Sequence, residues 1–180
     1  GLWQYLATHV LPLGDVATLV GAVSDNWATN ALIAALGGVG MIPPHPAVTL
    51  HDIVRDERGP SDPPALSTGS ANGYAQLFAE LWQTTNTRVL DWLSTGTDFS
   101  MVASAFGLDP LAHADADRGI RIINKTGTDA GVRADSGLIF TPTRTLAYSC
   151  LVNWQPAPGD LERDEVLDVM RAVGAQLRGL

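Results

Sequence analysis

The chain has 180 residues and a net charge of −8, from 19 acidic and 11 basic residues, and this length is typical of a single domain. With 46% hydrophobic and 17% charged residues, the composition suits a globular core and argues against general disorder. No basic face of the kind that binds nucleic acid is predicted, and the apolar runs are too short to span a bilayer. Cys150 is the only cysteine, so no disulfide can form within the chain.

The first two thirds of the sequence predict helices. Apolar residues recur at helical spacing over 15–24, with Asp15 as the N-cap, and again up to Leu36, where two glycines end the pattern. Residues 41–73 are rich in turn-forming proline, glycine and serine, and so long a connection inside a domain is more often functional than idle. Three short helices are predicted next, over 73–82, 87–94 and 100–107.

The pattern then becomes that of an antiparallel meander. Strands are predicted over 119–125, 138–141 and 145–154, with the first two joined by a turn over 128–137. Asp160 is expected to cap a final helix with an apolar stripe from Val166 to Leu177. The predicted fold class is therefore α+β, in one domain with a mainly helical part (1–118) and a part made of the sheet and the last helix (119–180).

Two short polar phrases interrupt this pattern. Ser24-Asp25-Asn26 breaks an apolar helical region, and Lys125-Thr126-Gly127, which holds the only lysine, lies on a predicted strand that leads a hairpin. Either triplet alone is most simply structural, since serine, aspartate and asparagine favour helix caps. Together, in this order and in these contexts, they resemble the signature pair of class A β-lactamases and penicillin-binding proteins. The flanking segments resemble that family over nearly the entire chain.

The resemblance implies acyl-transfer chemistry, with three residues in the reaction itself. Ser24 would carry a proton to the departing lactam nitrogen, and Lys125 would hold Ser24 and attract the substrate carboxylate. The backbone N–H of Thr128 matches the family's oxyanion donor on this strand.

The resemblance also implies residues that bind the substrate. Asn26 would hydrogen-bond the acylamide arm, and the Thr126 and Thr128 hydroxyls would bind the carboxylate. Gly127 would let the substrate approach the strand edge without a side chain in the way. Arg133, in the expected hairpin turn, is a further candidate for a carboxylate contact.

The family's serine nucleophile lies in a Ser-x-x-Lys motif, which this chain cannot supply because its only lysine is Lys125. The nucleophile is therefore expected in an N-terminal segment outside these 180 residues, together with two strands that would pair with 145–154. Without those strands, 145–154 would be an exposed apolar edge strand, which natural proteins avoid.

A second departure concerns deacylation. Class A enzymes carry a glutamate that activates water in the loop that resembles 51–64, and here Arg55 or a neighbour falls at that site. Glu57 is the candidate base, and a solvated loop charge is the alternative. Without such a base the protein would deacylate slowly or act on another acyl substrate.

No cofactor is implied, because this chemistry uses side chains alone. The sequence His-Ala-Asp-Ala-Asp (113–117) has too few ligands to predict a metal site, and a solvated turn is the simpler interpretation. The family usually works outside the cytoplasm, and the lone Cys150 does not decide the compartment.

The sequence thus predicts a β-lactamase-like serine hydrolase that opens β-lactams through an acyl-enzyme intermediate. Its expected partners are a β-lactam or acyl-peptide substrate and an N-terminal segment of the same protein. One alternative is a penicillin-binding peptidase or esterase relative that deacylates slowly. The other is a non-catalytic binding module on the same fold.

Overall fold

A computed structural model describes residues 1–112, 115–155 and 161–180, and for Leu161 the backbone alone. Within these residues lie five α-helices, three short 3-10 helices, a two-stranded sheet and a three-stranded sheet. The α-helices are α1 (Leu13–Val23), α2 (Asn26–Ala35), α3 (Ala71–Gln83), α4 (Arg88–Leu93) and α5 (Leu161–Gly179). The strands are β1 (Val48–Leu50), β2 (Ser67–Gly69), β3 (Arg121–Asp129), β4 (Val132–Phe140) and β5 (Thr145–Asn153).

Helices α1 and α2 are separated by the Ser24-Asp25 break. Ser24 ends α1 in the left-handed conformation, with φ of 52°, which a non-glycine residue adopts at a cost of about 1–2 kcal/mol. Asp25 then caps α2 and accepts a hydrogen bond from Ala28 N at 2.9 Å. Its second carboxylate oxygen accepts a hydrogen bond from Trp3 N at 2.6 Å, so this buried side chain also anchors the N-terminal residues.

The start of α1 differs from the prediction. Pro12 occupies the N-cap position and Asp15 lies in the first turn, so the prediction of Asp15 as the N-cap is wrong. A carboxylate within the first turn still favours the helix, because it faces the positive end of the helix dipole. The cap expected of Asp160 falls outside the described residues.

The three-stranded sheet is an antiparallel meander in the order β3–β4–β5. The turn predicted over 128–137 is wrong, because β3 continues to Asp129 and β4 begins at Val132. Only Ala130 and Gly131 connect the strands, and Gly131 has a φ of 67°, which suits the tight turn of a two-residue hairpin. The signature triplet on β3 is therefore held in nine-residue pairing with β4.

Two predicted connections also take a different form. Residues 41–73 include the short antiparallel pair β1–β2, and the short helix predicted over 100–107 is a 3-10 helix over Val102–Phe106. This short helix ends at Gly107, which is left-handed. It lies so close to α5 that a side chain at Gly174 would overlap the Val102 carbonyl oxygen.

The sheet separates two apolar clusters. Ile122 of β3 packs with Phe106 and Met170 on one face, next to α5, whereas its neighbour Ile123 packs with Phe78 on the other face, next to α3. Because adjacent strand residues point to opposite faces, both faces of β3 are covered. The strand that carries Lys125 is consequently fixed between two packed layers.

The sheet has two open edges. Strand β3 pairs only with β4 on one side, and β5 pairs only with β4 on the other, among the strands of the described residues. Half-buried apolar residues such as Leu151 and Val152 line β5. Within the described ranges, no helix is long and apolar enough to cross a membrane.

Candidate active site

The structure brings the two polar triplets into direct contact. Lys125 Nζ donates one hydrogen bond to Ser24 Oγ and another to the carbonyl oxygen of Thr126 at 2.6 Å. Ser24 is exposed and lies at the break between α1 and α2, while Lys125 is half-buried on β3. A hydroxyl and an amine in contact, one of them open to solvent, can exchange a proton with each other and with a bound molecule.

The surroundings of Lys125 favour its neutral form. Burial lowers the pKa of the ammonium, and the carboxylates of Asp98 and Asp135 offset this only in part. A lysine with a lowered pKa can act as a base at a pH where an ordinary lysine is fully protonated. The charge on Lys125 is thus adjusted by two acidic residues that the sequence reasoning did not single out.

Asp98 binds the side chain of the residue next to Lys125. Thr126 Oγ1 donates a hydrogen bond to Asp98 Oδ2 at 2.7 Å, and Ser100 donates to Asp98 Oδ1 from both its backbone N–H and its hydroxyl. Burial acts to raise the pKa of Asp98, but these hydrogen bonds and the charge of Lys125 outweigh it and lower that pKa. Asp98 therefore holds the Thr126 hydroxyl in one orientation.

Asp135 lies fully buried on the neighbouring strand, where its side chain has 0% exposure. One carboxylate oxygen accepts hydrogen bonds from Asn124 Nδ2 at 2.9 Å and Tyr148 OH at 2.8 Å, and the other accepts one from Ala103 N at 3.2 Å. Burial raises the pKa of Asp135 in spite of these donors. Asn124 also donates to the carbonyl oxygen of Asp98 at 3.2 Å, so one amide links both acidic residues beneath Lys125.

The open edge of β3 supplies backbone donors beside the Ser24–Lys125 pair. In an antiparallel pair, backbone groups point alternately toward the partner strand and away from it. In a two-residue hairpin the residues that flank the turn, here Asp129 and Val132, bond to each other across it. By this alternation we infer that Thr126 and Thr128 present their backbone N–H and C=O groups to the open side. Thr128 is itself exposed.

Gly127 lies at a position where the described structure leaves room for a side chain. A Cβ at this position would meet only the Ala134 Cβ, at 3.4 Å, which is ordinary van der Waals contact. No positive φ requires a glycine there either. Neither close packing nor backbone conformation among the described residues therefore requires glycine at this position.

Two further residues expected to bind substrate, Asn26 and Arg133, lie on different elements. Asn26 is exposed at the first position of α2. Arg133 lies on β4 opposite Thr128 and not in a turn, so its predicted location is wrong. Its guanidinium donates to the carbonyl oxygens of Asp129 and Val132 and covers the Trp154 ring at 5.5 Å.

The loop at 51–66 is organised by a buried aspartate. Asp52 is 6% exposed and accepts hydrogen bonds from Arg55 Nε at 2.7 Å and Arg58 Nη1 at 2.6 Å. Asn30 of α2 fixes the loop by two hydrogen bonds of 2.8 Å to the backbone of Val54. Glu57, the candidate deacylation base, is exposed in this loop, and the Arg55 side chain is engaged by Asp52.

Replacing Asp52 with asparagine should loosen this loop. The hydrogen bond from Arg55 is the largest cause that lowers the pKa of Asp52, and Ile53 N–H and Arg58 add to it against an opposing effect of burial. A lowered pKa means that the carboxylate stabilises the fold above its unfolded pKa near 3.9 and loses that effect as the pH falls. We expect D52N to be cleaved faster by protease within 51–66 at pH 7, and equal cleavage of both proteins would contradict this role.

Trp27 belongs to a separate cleft. This cleft has a volume of about 300 Å³, and its lining includes neither Ser24 nor Lys125. Trp27 is 52% exposed and shares the lining with Trp3, His9, Asn30 and Ala31.

Of the segment 113–117, His113 lies outside the described residues, and no group of three metal-ligating side chains occurs among the residues that the structure describes.

Replacing Asp98 with asparagine should lower the pKa of Lys125 further, because it removes one of the two charges that stabilise the ammonium. Lysine labelled with ¹³C and ¹⁵N gives a single side-chain signal in this chain, which has one lysine, so an NMR titration reads this pKa directly. Asp129→Asn removes a charge from an exposed position on the same strand and should leave the titration unchanged. If D98N and the parent protein titrate together, Asp98 does not control Lys125.

The comparisons with known proteins give one family match and several structural likenesses. A family model described as the beta-lactamase enzyme family matches residues 1–178, whereas no curated protein matches the chain. The β-lactamase from Sphaerobacter thermophilus DSM 20745 has a TM-score of 0.73 at 22% identity, and the matched region covers 99% of this chain and 68% of that β-lactamase. An ancestral class A β-lactamase gives 0.75 at 18%, with 99% and 69% covered.

A third structure, the class A β-lactamase from Mycobacterium abscessus, has a TM-score of 0.72 at 16% identity, with 99% of this chain and 69% of the other covered. These likenesses show the fold, which is the α+β fold of β-lactamases with an antiparallel sheet flanked by helices. The chain spans about two thirds of the length of each of these proteins. On the family match over residues 1–178, the chain belongs to the beta-lactamase enzyme family.

Proposed function

We propose that the chain is part of a serine hydrolase that opens β-lactams through an acyl-enzyme intermediate, with the nucleophilic serine supplied by residues outside 1–180. The observation that carries this proposal is the hydrogen bond from Lys125 to Ser24. It joins two triplets that lie 101 residues apart, and either triplet alone would be explained by a helix cap or a strand end.

The geometry supports a division of labour. Ser24 passes a proton to the departing lactam nitrogen, because its hydroxyl is exposed and Lys125 can replace the proton that it gives. The ammonium form of Lys125 attracts the substrate carboxylate, and the Thr128 N–H stabilises the oxyanion. Asn26 binds the acylamide arm from the start of α2.

Asp98 limits which hydroxyl groups of the site can bind the substrate carboxylate. Thr126 already donates its hydroxyl proton to Asp98, so it can bind a carboxylate only by turning that proton away from Asp98. Within the residues that the structure describes, the Thr128 hydroxyl makes no such hydrogen bond to a carboxylate. Arg133 lies opposite Thr128 on β4. The carboxylate is therefore anchored by Lys125 and Thr128, with Gly127 leaving the approach open.

The proposed nucleophile segment has a place to bind. Strand β5 exposes an unpaired edge, and an unpaired edge with apolar residues is normally covered by another strand. We place the N-terminal segment of the same protein against this edge. The segment would complete the sheet on the side away from Lys125.

Two other functions are alternatives to the β-lactam hydrolase. A penicillin-binding peptidase or esterase relative that deacylates slowly is favoured by Arg55, which is held by Asp52 in the loop where a deacylation base is expected. In that case Glu57 has no role as the base. A non-catalytic binding module would keep the Ser24–Lys125 contact but lack any nucleophile.

Denaturing mass spectrometry after incubation with penicillin separates these functions. The protein expressed from its full gene should gain the mass of one penicillin on a serine outside residues 1–180. The absence of any adduct would contradict the hydrolase and favour the binding module. The lifetime of the adduct then distinguishes the other two: rapid loss that slows in E57Q supports Glu57 as the base, and an adduct that persists equally in both supports the slow deacylator.

A further inference from the structure

We propose a second activity for this chain, in which Ser24 Oγ is itself a nucleophile and Lys125 Nζ is its general base, so that the pair takes acyl groups from activated esters. The proposal does not rest on the β-lactam function. It rests on the contact between the only lysine of the chain and an exposed serine.

The contact has the composition of a serine–lysine dyad, a known variant of the serine–histidine arrangement. A lysine can remove the serine proton only from its neutral form, and the half-buried position of Lys125 favours that form. The carbonyl of Thr126 accepts a second hydrogen bond from Nζ at 2.6 Å. This bond holds Nζ beside Ser24, and in the neutral form the lone pair of the amine can accept the hydroxyl proton of Ser24, which reverses the hydrogen bond that Nζ otherwise donates.

The backbone presents the hydroxyl to solvent. Ser24 and Asp25 form the break between the two helices, and the left-handed conformation of Ser24 makes the chain turn sharply. The Ser24 side chain is exposed at this turn. A nucleophilic serine on a sharp, strained turn before a helix is also the arrangement of the hydrolase nucleophile elbow. Here the following helix is α2, whose first N–H groups have no partner within the helix.

These features also provide for the oxyanion. The N-terminal end of α2 begins two residues after Ser24 and carries a partial positive charge, which the capping carboxylate of Asp25 offsets in part. The Thr128 N–H faces the open edge of β3, next to the strand position of Lys125. An acyl group bound between the helix end and the strand edge would meet donors on both sides of Ser24.

The step balances without a co-reactant. Ser24 Oγ attacks the carbonyl carbon of the ester, and its proton passes to the neutral Lys125 amine. The bond from the carbonyl carbon to the ester oxygen breaks, and the resulting ammonium returns the proton to the departing alkoxide or phenoxide. The products are an acyl ester on Ser24 and a free alcohol or phenol.

A fluorophosphonate probe tests this directly on the 180-residue chain, since a serine nucleophile displaces fluoride and keeps the phosphoryl group. We expect one adduct per chain, mapped to Ser24 by peptide mass spectrometry, with p-nitrophenyl acetate giving an acetyl group at the same position. The labelling rate should rise with pH as Lys125 loses its proton. K125M should label at least about 100-fold more slowly than the parent chain, which is the usual effect of losing a general base.

Ser24→Gly is the matched variant for folding. Glycine adopts a positive φ without steric cost, so this variant should fold at least as well as the parent chain and yet take no label. Ser61→Ala removes another exposed serine and should label as the parent does. Labelling of S24G, labelling of K125M at the parent rate, or no adduct on a chain that unfolds cooperatively would each overturn the proposal. A penicillin adduct outside residues 1–180 would be unaffected by any of these results.

Discussion

Replacing Lys125 with methionine should stop acyl transfer and at the same time make the folded chain more stable. Lys125 is the only lysine of the chain and contacts Ser24, and methionine can neither give nor take the proton. A loss of about 10²- to 10⁴-fold in the rate of β-lactam opening by the intact protein is expected, as for other general acids and bases.

The gain in stability follows from the lowered pKa of Lys125, of which burial is the main cause. Its folded pKa lies below its unfolded value near 10.4, so the charged form is penalised in the fold at neutral pH. The stability of the parent chain should rise with pH between the folded and the unfolded pKa of Lys125, where only the unfolded chain binds the proton. K125M lacks this penalty and should be about 1 kcal/mol more stable at pH 7, as is common when a functional residue is replaced.

Urea unfolding at several pH values measures both parts of this expectation. Lys125→Arg is the control, because arginine keeps a positive charge but has no accessible neutral form. It should be inactive like K125M without gaining stability at pH 7. If K125M proves less stable than the parent at every pH, the lysine is a structural element and not a functional one.

The site was partly predictable from sequence because its two triplets interrupt regular patterns. A run of serine, aspartate and asparagine inside an apolar helix indicates a break, and the structure confirms the break at Ser24, with Asp25 as the cap. The contact between Ser24 and Lys125 followed only from the resemblance. No periodicity relates two residues on separate elements.

The acidic residues around Lys125 could not be found in the same way. Polar residues in 128–137 predict a turn that includes Asp135, whereas this residue lies buried within β4. A buried aspartate is tolerated in a strand when its oxygens find donors, and those donors come from Asn124, Tyr148 and Ala103. The sequence could give no sign of these donors, because they lie on separate elements that come together only in the fold.

The 3-10 helix at Val102–Phe106 shows a related difficulty. Its apolar pattern predicts a helix without fixing the type, and the segment packs so closely on α5 that a side chain at Gly174 would overlap the Val102 carbonyl oxygen. Tertiary packing of this kind overrides local propensity. Glycine in the middle of α5 was the available signal, since a glycine inside a helix usually has a packing reason.

Replacing Asp135 with alanine should destabilise the protein more than any other single change proposed here. It leaves the Asn124 amide, the Tyr148 hydroxyl and the Ala103 N–H buried without their acceptor. Each unsatisfied buried group costs about 1–3 kcal/mol, so we expect a loss of about 3 kcal/mol or more in the free energy of unfolding, measured in urea. Asp129→Ala, at an exposed position on the same hairpin, should change it by about 0.5 kcal/mol or less.

The asparagine variant of the same residue separates the hydrogen bonds from the charge. Burial raises the folded pKa of Asp135, so its protonated form is favoured in the fold, and the stability it contributes is lost as the pH rises through that folded pKa. Asp135→Asn keeps an acceptor but never ionises, so its stability should exceed that of the parent most clearly at high pH. Because Asp135 also supports the ammonium of Lys125, D135N should lower the pKa of the lysine signal in the same sample. A D135A protein as stable as D129A would show that the network closes around another acceptor.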